Sequence, residues 1–249
     1  MNGKLVQYAR RGAAAVLRSL LPASCALCGA SGGEMLCAGC AAQFFGGDAA
    51  VVRCRRCANP LPGAAAGIDP LCGACRVHPP AFDITLTATD YALPIDQLVL
   101  QLKFGHRLAL ASLFARLLRD AVLKQPGFVL PALLCPVPLG PRRLAERGYN
   151  QSLEIARPLA RSLGVALHPR LVSRVRETVA QSSVAPEQRG QNIAGAFAIP
   201  DAALVRGRHV GVVDDVMTSG RTLNELAATL KRHGAARVSN LVFARTPPH

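Results

Sequence analysis

The chain has 249 residues, with 29 Lys and Arg against 15 Asp and Glu, a formal charge of +14. Half of its residues are hydrophobic and 18% are charged, so it can fill a core and is not a disordered basic tail. No run approaches the ~18 uncharged apolar residues of a spanning helix, which argues against an integral membrane segment, and the excess charge points to a polyanionic partner such as phosphate, nucleic acid or an acidic membrane surface.

Residues 1–22 set Lys4, Arg10 and Arg11 in an Ala/Leu-rich stretch ahead of a cysteine, a composition shared with export signals. Arg18 breaks the apolar run after a few residues, and Pro22 stands three residues before Cys25, where a lipoprotein signal wants a leucine-like side chain. The segment reads as retained, in a cytoplasmic protein. Leu5, Tyr8, Gly12, Val16 and Leu20 trace one helical face, with Lys4, Arg11 and Arg18 largely elsewhere, so an amphipathic helix is predicted. Docking on the chain's own core is its preferred role, with a membrane-surface helix as the alternative.

Residues 23–78 hold eight of the nine cysteines in four pairs of CxxC spacing: Cys25 and Cys28, Cys37 and Cys40, Cys54 and Cys57, Cys72 and Cys75. Each pair points two sulfurs at one centre, and two pairs supply the four thiolates of a tetrahedral Zn²⁺ site, so two structural zinc sites are predicted. The alternative, a disulfide framework, needs an oxidising compartment and normally a small secreted chain. A redox CxxC occurs singly beside a strand and helix, not four times in succession. Sequential pairing closes gaps of eight residues (Cys28 to Cys37) and fourteen (Cys57 to Cys72). It is preferred over a cross-brace by well under ~1 kcal/mol of loop entropy. Such sites have no open position for water or substrate and are structural, and His78 reads as a bystander. Eight thiolates with two Zn²⁺ carry −4 together, which would leave the chain at about +10.

Pro79 and Pro80 mark a boundary, after which residues 79–249 change style. Residues 82–88 alternate apolar and polar side chains as a half-buried strand does. Helices are expected over about 94–104 and 107–125, a strand over Leu133–Val137, a helix over Asn150–Leu163, a strand over Val210–Val213, a helix over Leu223–His233 and a strand over Val238–Ala244. Strands alternating with helices imply an α/β fold with a mostly parallel sheet, in which ligands bind beyond the carboxyl ends of the strands. Cys135, on a buried strand, reads as core.

One such strand end carries Val212, Val213, Asp214, Asp215, Val216, Met217, Thr218, Ser219, Gly220, Arg221 and Thr222, and then a helix. Two carboxylates arrive at the end of an apolar strand, followed by a short hydroxyl-bearing turn. The first N–H groups of a helix lack partners within it and its dipole favours an anion, so the turn is a phosphate cradle, and Gly220 lets the backbone approach closely. The adjacent carboxylates suit the hydroxyls of a ribose, assisted by a Mg²⁺ shared with pyrophosphate oxygens.

Residues 212–222 resemble the phosphoribosyl-pyrophosphate (PRPP) motif of type I phosphoribosyltransferases. Nearly the whole chain is similar to the ComF/GntX family, competence-associated proteins that join a double zinc ribbon to a phosphoribosyltransferase domain. The similarity includes the four cysteine pairs, Lys103 after Gln101 and Leu102, Pro136 to Leu139, the block from Arg142 to Gln151 with Arg147, Gly148, Tyr149 and Asn150, and Thr178 and Gln181 leading to Arg189, Asn192 and Phe197. The resemblance implies that Asp214 and Asp215 hold the ribose hydroxyls and that Thr218 to Thr222 wrap the 5′-phosphate. It places a pyrophosphate-side loop near Pro138–Arg147, where Arg142, Arg143 and Arg147 can neutralise a diphosphate. Residues 174–192 look like the loop that closes over PRPP, and Lys103 is expected to reach pyrophosphate or nucleic acid. Two departures stand out. Thr218 occupies the position at which 6-oxopurine salvage enzymes of this fold carry a proton-accepting aspartate, which leaves no obvious general base and weakens a hypoxanthine or guanine salvage reading. Gly211 replaces a large apolar residue, a packing change.

Two functions of different classes follow. One is an enzyme transferring the phosphoribosyl group of PRPP, with Mg²⁺, to a nitrogen nucleophile that the sequence does not name. The other is a non-catalytic PRPP- or nucleotide-binding adaptor in DNA uptake, meeting single-stranded DNA or uptake proteins through its zinc ribbons and basic surface. Single-stranded DNA calls for aromatic stacking platforms, and only 4% of the chain is Phe, Tyr or Trp. Tyr149, between Arg147 and Asn150, is the best candidate ring, with packing in the site as its alternative role.

Overall fold

A computed structural model describes residues 24–46, 51–63, 70–175 and 195–247. The helix expected over residues 1–22 lies outside the described residues, as does the closing loop beyond Val175. The chain divides into two compact units, Met1–Gly47 and Asp48–His249, so the division falls between the second and third cysteine pairs.

In the first unit, the Cys25 knuckle turns through Gly29 at φ +74°, and Gly29 N donates to Cys25 O at 2.9 Å. Helix α1 (Ala38–Phe45) follows, its N-cap sulfur Cys37 Sγ accepting from Cys40 N at 3.4 Å. Cys25, Cys28, Cys37 and Cys40 gather their sulfurs within 4.8 Å of one another.

The second unit opens on the other ribbon. Its knuckle turns through Ala58, a non-glycine at φ +57°, whose N–H donates to Cys54 O at 2.8 Å, and its last pair brackets helix α2 (Gly73–Val77). Cys54, Cys57, Cys72 and Cys75 form a second cluster, also within 4.8 Å. Two sulfurs about 2.3 Å from one tetrahedral ion lie roughly 3.8 Å apart. Cys28 and Cys37 at 3.7 Å and Cys57 and Cys72 at 3.6 Å match that spacing and not the ~2.05 Å of a disulfide. The donor sets fit Zn²⁺, and the pairing is sequential. His78 is exposed and belongs to neither cluster.

A parallel five-stranded sheet follows. Its strands are β1 (Ile84–Asp90), β2 (Leu133–Pro136), β3 (Ala166–Leu167), β6 (His209–Met217) and β7 (Arg237–Arg245), in the order β1-β7-β6-β2-β3. A separate antiparallel pair, β4 (Ser173–Arg174) and β5 (Phe197–Ala198), flanks the closing-loop segment in sequence. The helices are α3 (Ile95–Lys103), α4 (Ala109–Lys124), α5 (Pro141–Arg147), α6 (Gln151–Leu163) and α7 (Arg221–Arg232). The expected α/β architecture is thus present, with three differences. β6 runs four residues past Val213, because Asp214 pairs in register with Val242 and Met217 with Arg245. The pyrophosphate-side segment is helical over Pro141–Arg147, started by a proline at its first turn. Two-residue β3 extends the sheet beside β2.

Both faces of the sheet are covered. On one, Phe114 of α4 stacks on Phe243 of β7 with ring centroids 3.6 Å apart, and Ile155 and Leu159 of α6 are fully buried. On the other, Leu223, Leu226, Ala227 and Leu230 of α7 form one core with Val210, Val212, Val238, Val242 and the sulfurs of Cys54, Cys57 and Cys75. The second ribbon also caps the edge of the sheet: Thr85 N donates to Arg55 O, and Arg53 makes a two-pronged pair with Asp90 at 2.7 and 2.9 Å. Gly211 is a packing adaptation, since a Cβ there would come within 2.4 Å of Leu134 and 2.7 Å of Pro131. Cys135 is fully buried and its thiol is pushed up to about 12 by that burial, as a core residue requires.

Metal analysis of the full chain is expected to return two zinc ions per molecule, falling to one in a Cys28→Ser variant. A stoichiometry near zero or four would contradict two closed four-thiolate sites.

Candidate functional site

The site is built at the carboxyl end of β6. A β-strand sends successive side chains to opposite faces, so the adjacent carboxylates Asp214 and Asp215 meet different neighbours. Asp214 Oδ1 accepts from Ser152 Oγ at 2.8 Å and from Asp215 N at 3.0 Å. Ser152 is placed by the start of α6, where Asn150 caps the helix by accepting from Ser152 N and Leu153 N. Asp215, only 3% exposed, lies 2.8 Å from Lys103 Nζ through its Oδ2. That contact is an ion pair without good hydrogen-bond direction, and Asp215 Oδ2 has no other partner among the described residues.

The charges are balanced against burial. Burial alone would lower the Lys103 ammonium, but the charge and contact of Asp215, aided by Asp214, outweigh it and hold the group above its ordinary value. Asp214 is accessible at its edge yet deep among protein atoms. That desolvation, and then the Asp215 charge, raise its carboxyl to about 7, with Ser152 and Lys103 pulling in the other direction. Of the two carboxyl groups, Asp215 is the one with a cation in contact.

After Met217 the chain turns through Thr218, Ser219 and Gly220 into α7. Gly220 is the N-cap at φ +75°, a backbone conformation that strains any other residue, and a Cβ on it would also displace the terminal methyl of Met217, which lies 2.4 Å away. Asp214, Val216 and the whole run from Met217 to Leu223 line a concavity of about 40 Å³. A single water needs ~10–15 Å³ on the same scale, so the hollow has the size of one tetrahedral oxyanion. Because the first N–H groups of α7 open onto the same end of the helix, an anion there is favoured by hydrogen bonding and by the dipole.

The structure brings Lys103, Asp214, Asp215 and residues 216–222 together. Arg147 lies beside them at one remove: its guanidinium sits 5.1 Å over the Phe104 ring, next in sequence to Lys103, and it donates to Gln151 Oε1. Arg142 pairs along its own helix with Glu146 at 2.8 Å, an exposed pair of small energetic weight. Arg143 is half-exposed and makes no ion pair among the described residues. Tyr149, the expected stacking ring, is tied down instead, its hydroxyl donating to Leu102 O and its edge meeting His106 at 5.8 Å. Phe104, 67% exposed, is the available ring. Of the closing-loop residues, Arg174 packs over Phe197 at 5.8 Å, while Arg176, Gln181 and Arg189 lie outside the described residues. Sequence reasoning missed Ser152, whose only signal is its place two residues after the helix cap Asn150.

Comparison with known proteins matches the two parts of the chain to two domain families. Residues 150–248 match the phosphoribosyl transferase domain and residues 16–76 the double zinc ribbon domain. The chain is 39% identical over 202 residues to the DNA utilization protein YhgH of Salmonella typhi, covering 80% of this chain and 88% of that one. It is 39% identical over 178 residues to YhgH of Escherichia coli K12, covering 70% and 78%. Competence protein F of Haemophilus influenzae is 31% identical over 218 residues, covering 84% and 90%. Among solved structures, glutamine PRPP amidotransferase from B. subtilis overlaps 53% of this chain and 26% of its own at 16% identity, with a TM-score of 0.36.

The raised Asp214 carboxyl has a thermodynamic signature. In the unfolded chain the group ionises near 3.8, in the folded protein near 7. Between those values the unfolded state has released a proton that the folded state still holds, so stability falls with rising pH and the loss is complete above 7. An Asp214→Asn amide oxygen can accept the same two hydrogen bonds without that loss. The melting temperature of the variant minus that of the wild type is therefore expected to widen from pH 4 to pH 7 and level off above. A gap independent of pH would contradict the raised value.

Proposed function

Because the chain belongs to the ComF/GntX family of double-zinc-ribbon phosphoribosyltransferase-domain proteins, we propose that the end of β6 binds PRPP and that the protein uses or transfers its phosphoribosyl group in DNA utilisation or uptake. The observation that carries this reading is the union, on one strand end, of a carboxylate pair and an oxyanion-sized turn at a helix N-terminus. In this reading the turn from Thr218 to Thr222 takes the 5′-phosphate, and Asp214 and Asp215 accept from the ribose hydroxyls. Lys103 pairs with Asp215. Arg143 and Arg147, on α5, supply positive charge on the pyrophosphate side, where Arg forks match phosphate oxygens. Mg²⁺ fits as a companion of the ligand, since it keeps its waters and binds largely through substrate phosphates. When bound, it would neutralise diphosphate charge. The association with DNA comes from the names of the Salmonella, Escherichia and Haemophilus relatives.

A second reading, binding without transfer, is favoured by a specific feature. The described site offers a hydroxyl, Thr218, where a base would be needed, and no histidine or free carboxylate lines the concavity besides Asp214. The exposed Phe104 ring with Arg147 over it, beside Lys103, supplies the aromatic and cationic pair that an unpaired base stacks on.

Calorimetric titration of the zinc-loaded protein with PRPP and Mg²⁺ is expected to show binding, weakened at least tenfold, or about 1.4 kcal/mol, by Asp215→Asn in a variant shown to remain folded. Affinity equal to wild type would remove the assignment. Release of pyrophosphate from PRPP with a panel of nitrogen bases separates the two readings: turnover with any acceptor supports transfer. Affinity for a single-stranded oligonucleotide that falls linearly in log–log with salt supports the adaptor, and absence of binding at low salt ends it.

A further inference from the structure

Arg245, the last residue of β7, is 6% exposed and, among the described residues, has no carboxylate in hydrogen-bond contact. Its Nε donates to Cys57 O at 2.8 Å, inside the second four-cysteine cluster. Its Nη1 donates to Met217 O at 3.0 Å and also to the carbonyls of Thr218 and Thr246. One planar guanidinium thus spans the metal knuckle and the beginning of the ligand turn, and Thr246 N adds a bond to Met217 O at 3.0 Å.

Two physical consequences follow. In a planar trans peptide the C=O and the next N–H point in opposite directions, and neither peptide here is cis. Drawing the carbonyls of Met217 and Thr218 onto Arg245 therefore turns the N–H groups of Thr218 and Ser219 away from it, and these two donors have no partner among the described residues. The clamp presets the turn to receive an anion. The second consequence concerns charge. A buried cation needs compensation, and Asp90, whose charge acts on it, is engaged by Arg53. Four thiolates around Zn²⁺ carry −2, and the backbone of one of those cysteines is what Arg245 grips.

We propose that Arg245 is a positioning residue that joins the second zinc site to the anion-binding turn, so that the metal-loaded second ribbon holds residues 217–222 in their ligand-ready conformation. The proposal concerns the same turn as the PRPP reading and rests on it only for the identity of the anion. Lys cannot reproduce the fork, because its single ammonium cannot reach Cys57 O and Met217 O together in plane.

Hydrogen exchange of the zinc-loaded full chain, read at the Thr246 and Asn224 amides, which donate to Met217 O at 3.0 Å and to Gly220 O at 2.8 Å at the two ends of the turn, tests this without ligand. Arg245→Lys is expected to retain two zinc ions and normal protection in β7 while exchange at the Thr246 and Asn224 amides rises at least tenfold. Cys72→Ser, which disables the second site, should accelerate the same amides, whereas Cys28→Ser, in the other compact unit, should not. Unchanged exchange in a folded Arg245→Lys, or an equal response to the two cysteine variants, overturns the proposal. If Arg245→Lys does not fold, the two cysteine variants decide it. PRPP titration of the same samples separates the two ideas. Coupling of the amides to Arg245 and the second site with no PRPP binding by wild type supports the clamp and removes PRPP as its ligand. PRPP binding by wild type that is undiminished in Arg245→Lys supports the ligand and rejects the clamp.

Discussion

Strand β6 is buried over most of its length and ends in two carboxylates and a tight turn, so its last residues have to be stabilised by whatever packs around that end. Parallel strands buried on both faces read as continuous apolar runs, and β6 obeys this from Val210 to Val213 before breaking it with Asp214 and Asp215. The break is satisfied from three directions. α3 contributes Lys103 to Asp215, α6 contributes Ser152 to Asp214, and β7 contributes Arg245 to the carbonyls beyond Met217. Removing Lys103 leaves the buried Asp215 Oδ2 without any partner among the described residues, an effect that ordinarily exceeds the worth of the contact itself.

The two buried cations divide the work. Lys103 faces an acid, so its charge is largely spent inside the protein, and what it contributes is an Asp215 fixed as an acceptor. Arg245 faces carbonyls, which have no charge to cancel, so its contribution is the direction of the peptides rather than the potential of the site. The attraction for an anion must then come from the N–H groups of the turn, the dipole of α7 and the arginines of α5. The +14 of the whole chain narrows accordingly. Much of the exposed excess is general attraction, screened beyond about 8–10 Å at ordinary salt, while the discriminating contacts are neutral N–H donors that the buried charges orient.

How much of this was legible in the sequence follows from how local each feature is. The cysteine pairs and the run from Val212 to Thr222 place all their chemistry within a few residues, and both were readable. The sheet was readable because apolar runs alternate with amphipathic helices. Helix α5 was read as a loop because it lacks a side-chain cap and buries none of its residues, leaving no periodic apolar signal. β3 is too short for any pattern. Ser152 and Asp214 lie 62 residues apart, and Arg245 and Cys57 188 apart; a lone serine after a helix cap and a lone arginine at a strand end carry no local mark of the partner that gives them meaning. Tyr149 was left open between two roles for a related reason, since a phenol beside Arg147 can stack outward or bond inward, and only the position of the Leu102 carbonyl decides.

The two ribbons share one sequence pattern and differ in what surrounds them. In the first cluster Cys28 is exposed, and the knuckle's described hydrogen bonds stay within its own unit. In the second, Cys54, Cys57 and Cys75 join the core beneath α7, Arg55 completes the edge of β1, and Arg56 Nη1 donates to Pro80 O at 3.1 Å. A closed four-thiolate site is rigid and has no open coordination position, so in the first unit it can only shape the ribbon itself. In the second unit the same rigidity is passed to a sheet edge and a turn, because a metal-bound knuckle is a fixed point against which a buried side chain can set a backbone. The repeat visible in the sequence is therefore one of metal chemistry, and what sets its second copy apart is the guanidinium of Arg245, which joins that knuckle to the turn after β6.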